Sequence, residues 1–249
     1  MRYFLRLAYD GTPFHGWQRQ PNASSVQQTL EEAISTILRK ETVLTGAGRT
    51  DAGVHAREMF AHFDYETIQD KYRFLTSLNR MAGNAIAVYD LMPVSPEAHA
   101  RFDAVSRSYE YHITLKKNPF DFNFAHRMER LPDVEAMNQG GRLLEATADF
   151  TSFAKLHADT KTNICKVSRA VWEWRPEEER LVFSITADRF LRNMVRAVVG
   201  TLIEVGQGKM NLRQLQEVIE KKDRCSAGVS MPAKGLFLTG VEYPTEIFI

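Results

Sequence analysis

The chain has 249 residues, of which 44% are hydrophobic and 25% charged, with a formal net charge of +1. That is enough for one large domain or two small ones with a substantial core, and the composition excludes a disordered polypeptide. No apolar run reaches the ~18 residues a membrane span requires. A near-neutral total gives no sign of nucleic acid, so an RNA-binding face would have to come from local clustering of basic residues.

Residues 2–9 alternate, with Tyr3, Leu5, Leu7 and Tyr9 on one face, which predicts a strand and not a signal peptide. A loop rich in Gly, Pro and Asn follows, containing the stretch Phe14 to Gln20 (FHGWQRQ). Ser25 and Gln28 have capping-box spacing, and Val26, Leu30, Ala33, Ile34, Ile37 and Leu38 predict an amphipathic helix over 26–39. A short strand at 42–44 leads into a glycine-rich loop, 46–53. Strands are predicted over 54–64, 86–91 and 106–115, and helices over 70–82 and 133–147. Two more strands, 165–174 and 180–187, flank the polar turn 175–179. A long helix is predicted from about Arg189 to Val205, a shorter one near 211–221, and a last strand at about 236–243. This order predicts an α+β protein with helices stacked on antiparallel sheet. A boundary near residue 105 divides it into halves of 1–105 and 106–249. The two cysteines, Cys165 and Cys225, are far apart and suggest neither a zinc knuckle nor a disulfide framework, so the expected setting is reduced and cytoplasmic.

Three segments could carry chemistry. Gly46 to Ala56 reads GAGRTDAGVHA, where small residues surround Arg49, Thr50 and Asp51. Small residues permit sharp bends and close approach of a ligand to a presented carboxylate. Taken alone, so short a motif fits better with a plain turn bearing an Arg49–Asp51 surface pair. The sixth position after Gly46-Ala47-Gly48 is Asp51, which rules out a dinucleotide fingerprint, and the loop has no lysine for a P-loop. Residues 98–111 read AHARFDAVSRSYEY, and on a strand Arg107, Tyr109 and Tyr111 share a face. Arginine beside tyrosine can stack on bases and neutralise phosphate, although an ordinary cross-strand aromatic surface explains this piece as well or better. On the long predicted helix, Arg189, Arg192 and Arg196 form a basic stripe, with Arg189 in a first turn where it opposes the helix dipole. A solvated face and an acidic partner suit that stripe equally. The histidines (His15, His55, His62, His99, His112, His126 and His157) make no H-E-x-x-H or H-x-E pattern, so neither a metal site nor a zinc deaminase is expected. No G-x-S-x-G occurs to suggest the usual hydrolase nucleophile.

Several motifs occur in a fixed order. They are Tyr9-Asp10-Gly11 with Gly16-Trp17-Gln18-Arg19-Gln20, then Gly48-Arg49-Thr50-Asp51-Ala52-Gly53-Val54-His55, then Ala100-Arg101-Phe102 with Arg107-Ser108-Tyr109-Glu110-Tyr111. Asp149-Phe150-Thr151-Ser152-Phe153 follows, then Phe190-Leu191-Arg192-Asn193-Met194-Val195-Arg196 with Gly200-Thr201-Leu202, and last Ala233-Lys234-Gly235-Leu236-Phe237-Leu238. Together they resemble the tRNA pseudouridine synthase A family over nearly the whole chain. The resemblance implies two RRM-like (ferredoxin-like) halves sharing an extended antiparallel sheet. It implies an N-terminal half carrying the Asp loop and a C-terminal half completing the active-site cleft. It implies a cofactor-free isomerase, a homodimer, and uridines at positions 38 to 40 of the tRNA anticodon arm as targets. Residue by residue, Asp51 resembles the catalytic aspartate, Tyr109 the tyrosine that stacks on the target base, and Arg196 the basic partner of the aspartate. Arg49 resembles the arginine that holds the base out of its helix, and Leu236 an apolar lining residue. Arg101, with His99 and Phe102 beside it, resembles an RNA-contacting segment; Arg101 and Arg189 are expected to contact phosphate. Ser108 and Glu110 depart from the positive charge many relatives carry there.

These residues suit the reaction. An aspartate could attack ribose C1′ or uracil C6, or assist a glycal-like intermediate, an arginine would keep it ionised, and a dry pocket would prevent hydrolysis of the intermediate. Two other functions use the same residues: an RNA-binding module in which Asp51 is dispensable, and a carboxylate-dependent glycosidase. The latter needs a second acid, and Asp188 and Glu204 lie on or near a helix that fits a structural role.

Overall fold

The computed structural model describes residues 1–155 and 161–249; His157 lies outside them. The described residues form a mixed α+β protein that divides into two compact units, Met1–Ser106 with Phe237–Ile249, and Arg107–Leu236. The second unit ends at Leu236, and the last thirteen residues of the chain, Phe237–Ile249, belong to the first. Their return is a long-range strand pairing, which no local pattern announces.

In unit 1 the strands are β1 (Arg2–Tyr9), β2 (Thr45–Gly46), β3 (His55–Asp64) and β4 (Ile86–Val94), with helices α1 (Val26–Leu38) and α2 (Lys71–Met81). The order is β4-β1-β3-β2, every neighbour antiparallel. Phe237 and Leu238, on the strand Leu236–Glu242, pair in parallel with His55 and Ala56. β4 runs further than the sequence pattern predicts and includes Pro93, tolerated because this is the outer strand of the unit's β4-β1-β3-β2 order. The strand expected at 42–44 is displaced to Thr45–Gly46 because the Leu44 amide donates to the buried carboxylate of Glu31, at 3.0 Å, and so is tied to α1.

α1 begins where expected, with the Ser25 side chain accepting from the Gln28 amide at 3.3 Å. The capping box is only half made, since the Gln28 side chain reaches forward to Glu32. Val26, Leu30, Ala33 and Ile34 are buried, each Leu or Ile contributing on the order of 1.5–3 kcal/mol. One face of the sheet carries Tyr3 and Phe63, with Phe74 of α2 stacked on Phe63. The opposite face carries Phe4 and Phe60, and the Tyr243 ring packs edge-on against both at 5.1 and 5.2 Å. Phe248 adds a further edge contact to Phe4. The C-terminal aromatics thus cover this face of the sheet.

In unit 2 the strands β5 (Ser106–Thr114), β6 (His126–Arg127), β7 (Val167–Arg175) and β8 (Arg180–Ala187) run in the order β6-β5-β8-β7, with β5-β8-β7 antiparallel. Helices α3 (Val134–Glu145), α4 (Met194–Gly206) and α5 (Leu212–Lys221) complete it, and the strand Leu236–Glu242, β9, begins at its end. α3 lies close on β7 because Gly141 has no side chain: a Cβ there would meet the Ala170 carbonyl oxygen at 2.1 Å. α5 carries the complete capping box, with Asn211 and Gln214 exchanging side-chain-to-backbone bonds. No helix among the described residues is long and apolar enough to cross a membrane.

α4 corrects the sequence-based expectation. The apolar pattern runs on from Leu191, yet the helix starts at Met194, preceded by Asn193 with φ 66°, a left-handed conformation that ends any continuous helix. Arg189 and Arg192 therefore precede the helix, and the stripe of three arginines on one helical face does not form. The first-turn arginine is Arg196 instead.

Candidate active site

The Asp51 loop is held from both sides by the FHGW segment of unit 1. The Tyr9 hydroxyl and Thr50 Oγ1 share a buried hydrogen bond of 2.8 Å. The Trp17 amide donates to the Thr50 carbonyl at 3.3 Å, and the Gly53 amide to the Phe14 carbonyl at 3.3 Å. The loop closes with the Val54 amide on the Asp51 carbonyl, at 3.1 Å. Three glycines make this packing possible. Gly16 has φ +94°, and a Cβ there would lie 2.3 Å from the Thr50 carbonyl oxygen; a Cβ on Gly46 would enter the Trp17 indole at 2.5 Å. Gly53 supplies a second positive φ, 75°. Asp51 emerges half-buried from this clasp, while Arg49 is exposed. The loop is thus braced by hydrogen bonds to Tyr9, Phe14 and Trp17, and its backbone carries the Asp51 carboxylate. His55, at the start of β3, belongs to the brace: it accepts from the Gly11 amide at 3.0 Å and stacks on Phe237 at 4.6 Å.

A second element of unit 1 is the turn 98–104. His99 organises it through Nδ1, which accepts from the amides of Arg101 and Phe102 at 3.1 and 3.3 Å, while its own amide donates to Asp103. The Phe102 ring leans on His99 at 4.3 Å and is 72% exposed, with the Arg101 guanidinium 5.5 Å away. Beneath it, buried His62 accepts from the Ala100 amide at 3.1 Å. Burial, assisted by the positive charge of Arg2, lowers the His62 pKa to about 4, and burial lowers that of His99 too. Both rings are neutral near pH 7 and act as acceptors. The result is an exposed aromatic face with a cation beside it on a fixed backbone, a form suited to stacking a base.

Unit 2 holds the remaining residues. Tyr109, opposite Ile185 in the β5–β8 ladder, is half-buried and packs edge-on against Phe190 at 5.0 Å. Tyr111, two residues on, is fully buried and donates to the Pro232 carbonyl at 2.9 Å; burial raises its pKa. Only Tyr109 of the pair remains accessible. Ser108 and Glu110 turn to other partners, Ser108 to Thr186 and Glu110 to His112 and Arg175. Arg196, in the first turn of α4, donates through Nε to the Met231 carbonyl at 2.5 Å. Arg189 is half-buried in the segment before the helix, and Leu236 is 5% exposed. Phe190, whose ring meets that of Tyr109 edge-on, was not singled out by the sequence, since its spacing from Tyr109 along the chain offers no signal.

Unit 1 thus contains Arg49, Asp51, His99, Arg101 and Phe102, and unit 2 contains Tyr109, Arg189, Arg196 and Leu236. Among the described residues, no group of three or more His, Cys, Asp or Glu side chains comes together to hold a metal ion.

Residues 142–244 match the family model described as tRNA pseudouridine synthase. The chain is 54% identical to tRNA pseudouridine synthase A of Bacteroides thetaiotaomicron over 99% of its own length and 92% of that protein's. It is 53% identical to tRNA pseudouridine synthase A of Bacteroides fragilis, covering 99% and 98%, and 50% identical to that of Porphyromonas gingivalis, covering 100% and 99%.

Proposed function

Since the chain belongs to the tRNA pseudouridine synthase A family, an isomerase family, we propose that it converts uridine to pseudouridine at positions 38 to 40 of the tRNA anticodon stem-loop, with Asp51 as the essential carboxylate and no cofactor. The observation that supports this most is the Asp51 loop, gripped through Thr50 and Gly53 by Tyr9, Phe14 and Trp17. A carboxylate that reacts must be presented in one geometry, and misplacement by ~1 Å costs on the order of 100-fold in rate.

In this reading the bond from C1′ to N1 of uracil breaks, the base turns, and C1′ joins C5. The C5 proton leaves and N1 gains one, so the isomerisation balances without redox chemistry or energy input. Asp51 acts as a nucleophile at C1′ or at C6 of the base, or assists a glycal-like intermediate. Arg196 carries the positive charge that favours an ionised carboxylate. Tyr109 presents a ring for the extruded base, and its phenolic oxygen takes up the C5 proton as the hydroxyl passes its own proton to water. Extrusion costs a few kcal/mol, and stacking on one aromatic ring returns about 1–3 kcal/mol. Arg49 fills the space that the base leaves, and Arg101, Phe102, His99 and Arg189 contact the RNA. Leu236 lines the apolar part of the pocket.

We read both units as RRM-like halves. The strand order β4-β1-β3-β2 of unit 1, with helices after β1 and β3, is that of a split βαβ motif, and β5-β8-β7 with α3 and α4 repeats most of it. A homodimer that acts in the cytoplasm completes the proposal.

The test uses unmodified tRNA transcripts with the wild-type protein and Asp51→Asn, mapping pseudouridine by position. Pseudouridine at 38 to 40 from wild type alone, with equal tRNA binding by the variant, supports the assignment. Equal turnover by Asp51→Asn would falsify it, tight binding without product would favour an RNA-binding module, and release of free uracil would favour a glycosidase.

A further inference from the structure

The segment that follows α5 is fastened to the helix carrying Arg196 through Arg224, a residue that takes no part in the roles above. Asp223 caps a single turn, Arg224–Ser226, and anchors it: its amide donates to Ser152 Oγ at 3.1 Å, and its carboxylate accepts from the Cys225 amide at 3.0 Å. The Arg224 guanidinium then crosses the residues that follow. Nη1 donates to the Ala227 and Gly228 carbonyls at 3.4 and 3.1 Å, and Nη2 to Ser230 Oγ at 2.8 Å. A planar fork with fixed donors suits such a cross-link, which lysine cannot reproduce.

The cross-linked strap lies directly on the start and middle of α4. Gly228 donates to Thr201 Oγ1 at 2.9 Å, and a Cβ on Gly228 would lie 2.8 Å from the Thr201 nitrogen. On the helix side, a Cβ on Gly200 would meet the Val229 carbonyl oxygen at 1.8 Å. Ser230 Oγ also accepts from Asn193 Nδ2, at 2.5 Å, and Asn193 is the left-handed residue from which α4 starts. Past Ser230, Met231 is bound twice by Arg196: its amide donates to the Arg196 carbonyl at 3.1 Å, and its carbonyl accepts from Arg196 Nε at 2.5 Å. Arg224 therefore fixes one oxygen, Ser230 Oγ, that also holds the residue at the start of α4, and it holds the strap whose next carbonyl orients the Arg196 head.

We propose that Arg224 is a positioning residue for Arg196, acting through Ser230 and the Met231 carbonyl. The proposal rests on the reading of Arg196 as a functional arginine. Its effect falls on turnover and not on capture of tRNA, because the Arg224 guanidinium makes its bonds within the strap.

The experiment measures single-turnover pseudouridine formation and KM for unmodified tRNA in wild type, Arg224→Gln, Arg196→Lys and the double variant, with urea unfolding alongside. Arg224→Gln is expected to lower the rate by roughly 10- to 100-fold, with KM within about 2-fold and the protein folded. In the Arg196→Lys background the same change is expected to cost less than about 2-fold, since coupled residues are not additive. Ser230→Ala, which removes the shared acceptor with little bulk, is expected to show the same pattern at smaller size and serves if Arg224→Gln does not fold. A slow Arg196→Lys protein in which both Arg224→Gln and Ser230→Ala multiply the loss in full overturns the positioning role alone. A full-rate Arg196→Lys protein removes the reading beneath it, and the proposal with it.

Discussion

Replacing Gly16 by alanine tests whether the Asp51 loop is held by steric necessity. Gly16 has φ +94°, and a Cβ would stand 2.3 Å from the Thr50 carbonyl oxygen, 3.1 Å from the Asp51 carbonyl carbon and 3.3 Å from the Ala52 nitrogen. A left-handed conformation costs a residue with a Cβ about 1–2 kcal/mol. Forcing extra volume into a filled site costs about 1–3 kcal/mol. The expected destabilisation is therefore about 2–5 kcal/mol, against a typical total of about 5–15 kcal/mol. Normal contact requires the Thr50 carbonyl to retreat by about 1 Å, and Asp51 follows it in the chain, so the rate of the folded fraction should fall by roughly 100-fold. Gly48→Ala is the control: its Cβ would meet nothing within 4 Å, and its stability should stay within about 0.5 kcal/mol of wild type. Urea unfolding followed by tryptophan fluorescence gives both free energies, and single-turnover pseudouridine formation gives the rate. A Gly16→Ala protein with wild-type stability and rate would refute the reasoning, as would a Gly48→Ala protein that loses as much stability.

Other outcomes follow from the same geometry. Phe102 is 72% exposed, so Phe102→Ala should leave stability within about 0.5 kcal/mol yet weaken tRNA binding by about 1–3 kcal/mol; unchanged affinity in a filter-binding titration would remove it from the RNA surface. Tyr109→Phe keeps the ring that packs on Phe190 and should bind tRNA normally while forming product more slowly; an equal rate denies the hydroxyl a part in proton removal. The folded-state pKa of His62 is lowered from 6.5 to about 4, chiefly by burial, so below pH 6.5 the unfolded chain takes up the proton first. Its contribution is present above pH 6.5 and is lost as pH falls toward 4. Urea midpoints of wild type should drop more steeply over that window than those of His62→Gln; parallel curves would contradict it.

Local pattern is enough to place most elements of this chain. Alternation in β1 and β5, and apolar spacing in α1, α3 and α5, arise within a few residues of each other, and the observed ends lie within a few positions of those expected. Residue type likewise marked the Asp51 loop, because only small residues allow the approach that Gly16 and Gly46 make. Where the decision lay in contacts distant in sequence, pattern misled or was silent. Leu191 extends the apolar spacing of α4 backwards, but Lys155 donates to the Arg192 carbonyl and Ser230 holds Asn193 in a left-handed turn, so the helix begins at Met194. Gln28 and Gln214 stand at the same capping-box position, yet Gln28 bonds forward to Glu32, so only Asn211 and Gln214 complete a box. The return of Phe237–Ile249 to the first unit, which covers Phe4 and Phe60 with Tyr243, depends on pairing with a strand more than 170 residues earlier. So does the Arg224 strap depend on a helix that precedes it. Periodicity and turn chemistry are properties of neighbours in the chain, and the sequence by itself determined those. Which carbonyl meets which side chain across the chain is a property of packing, and only the tertiary structure decided it.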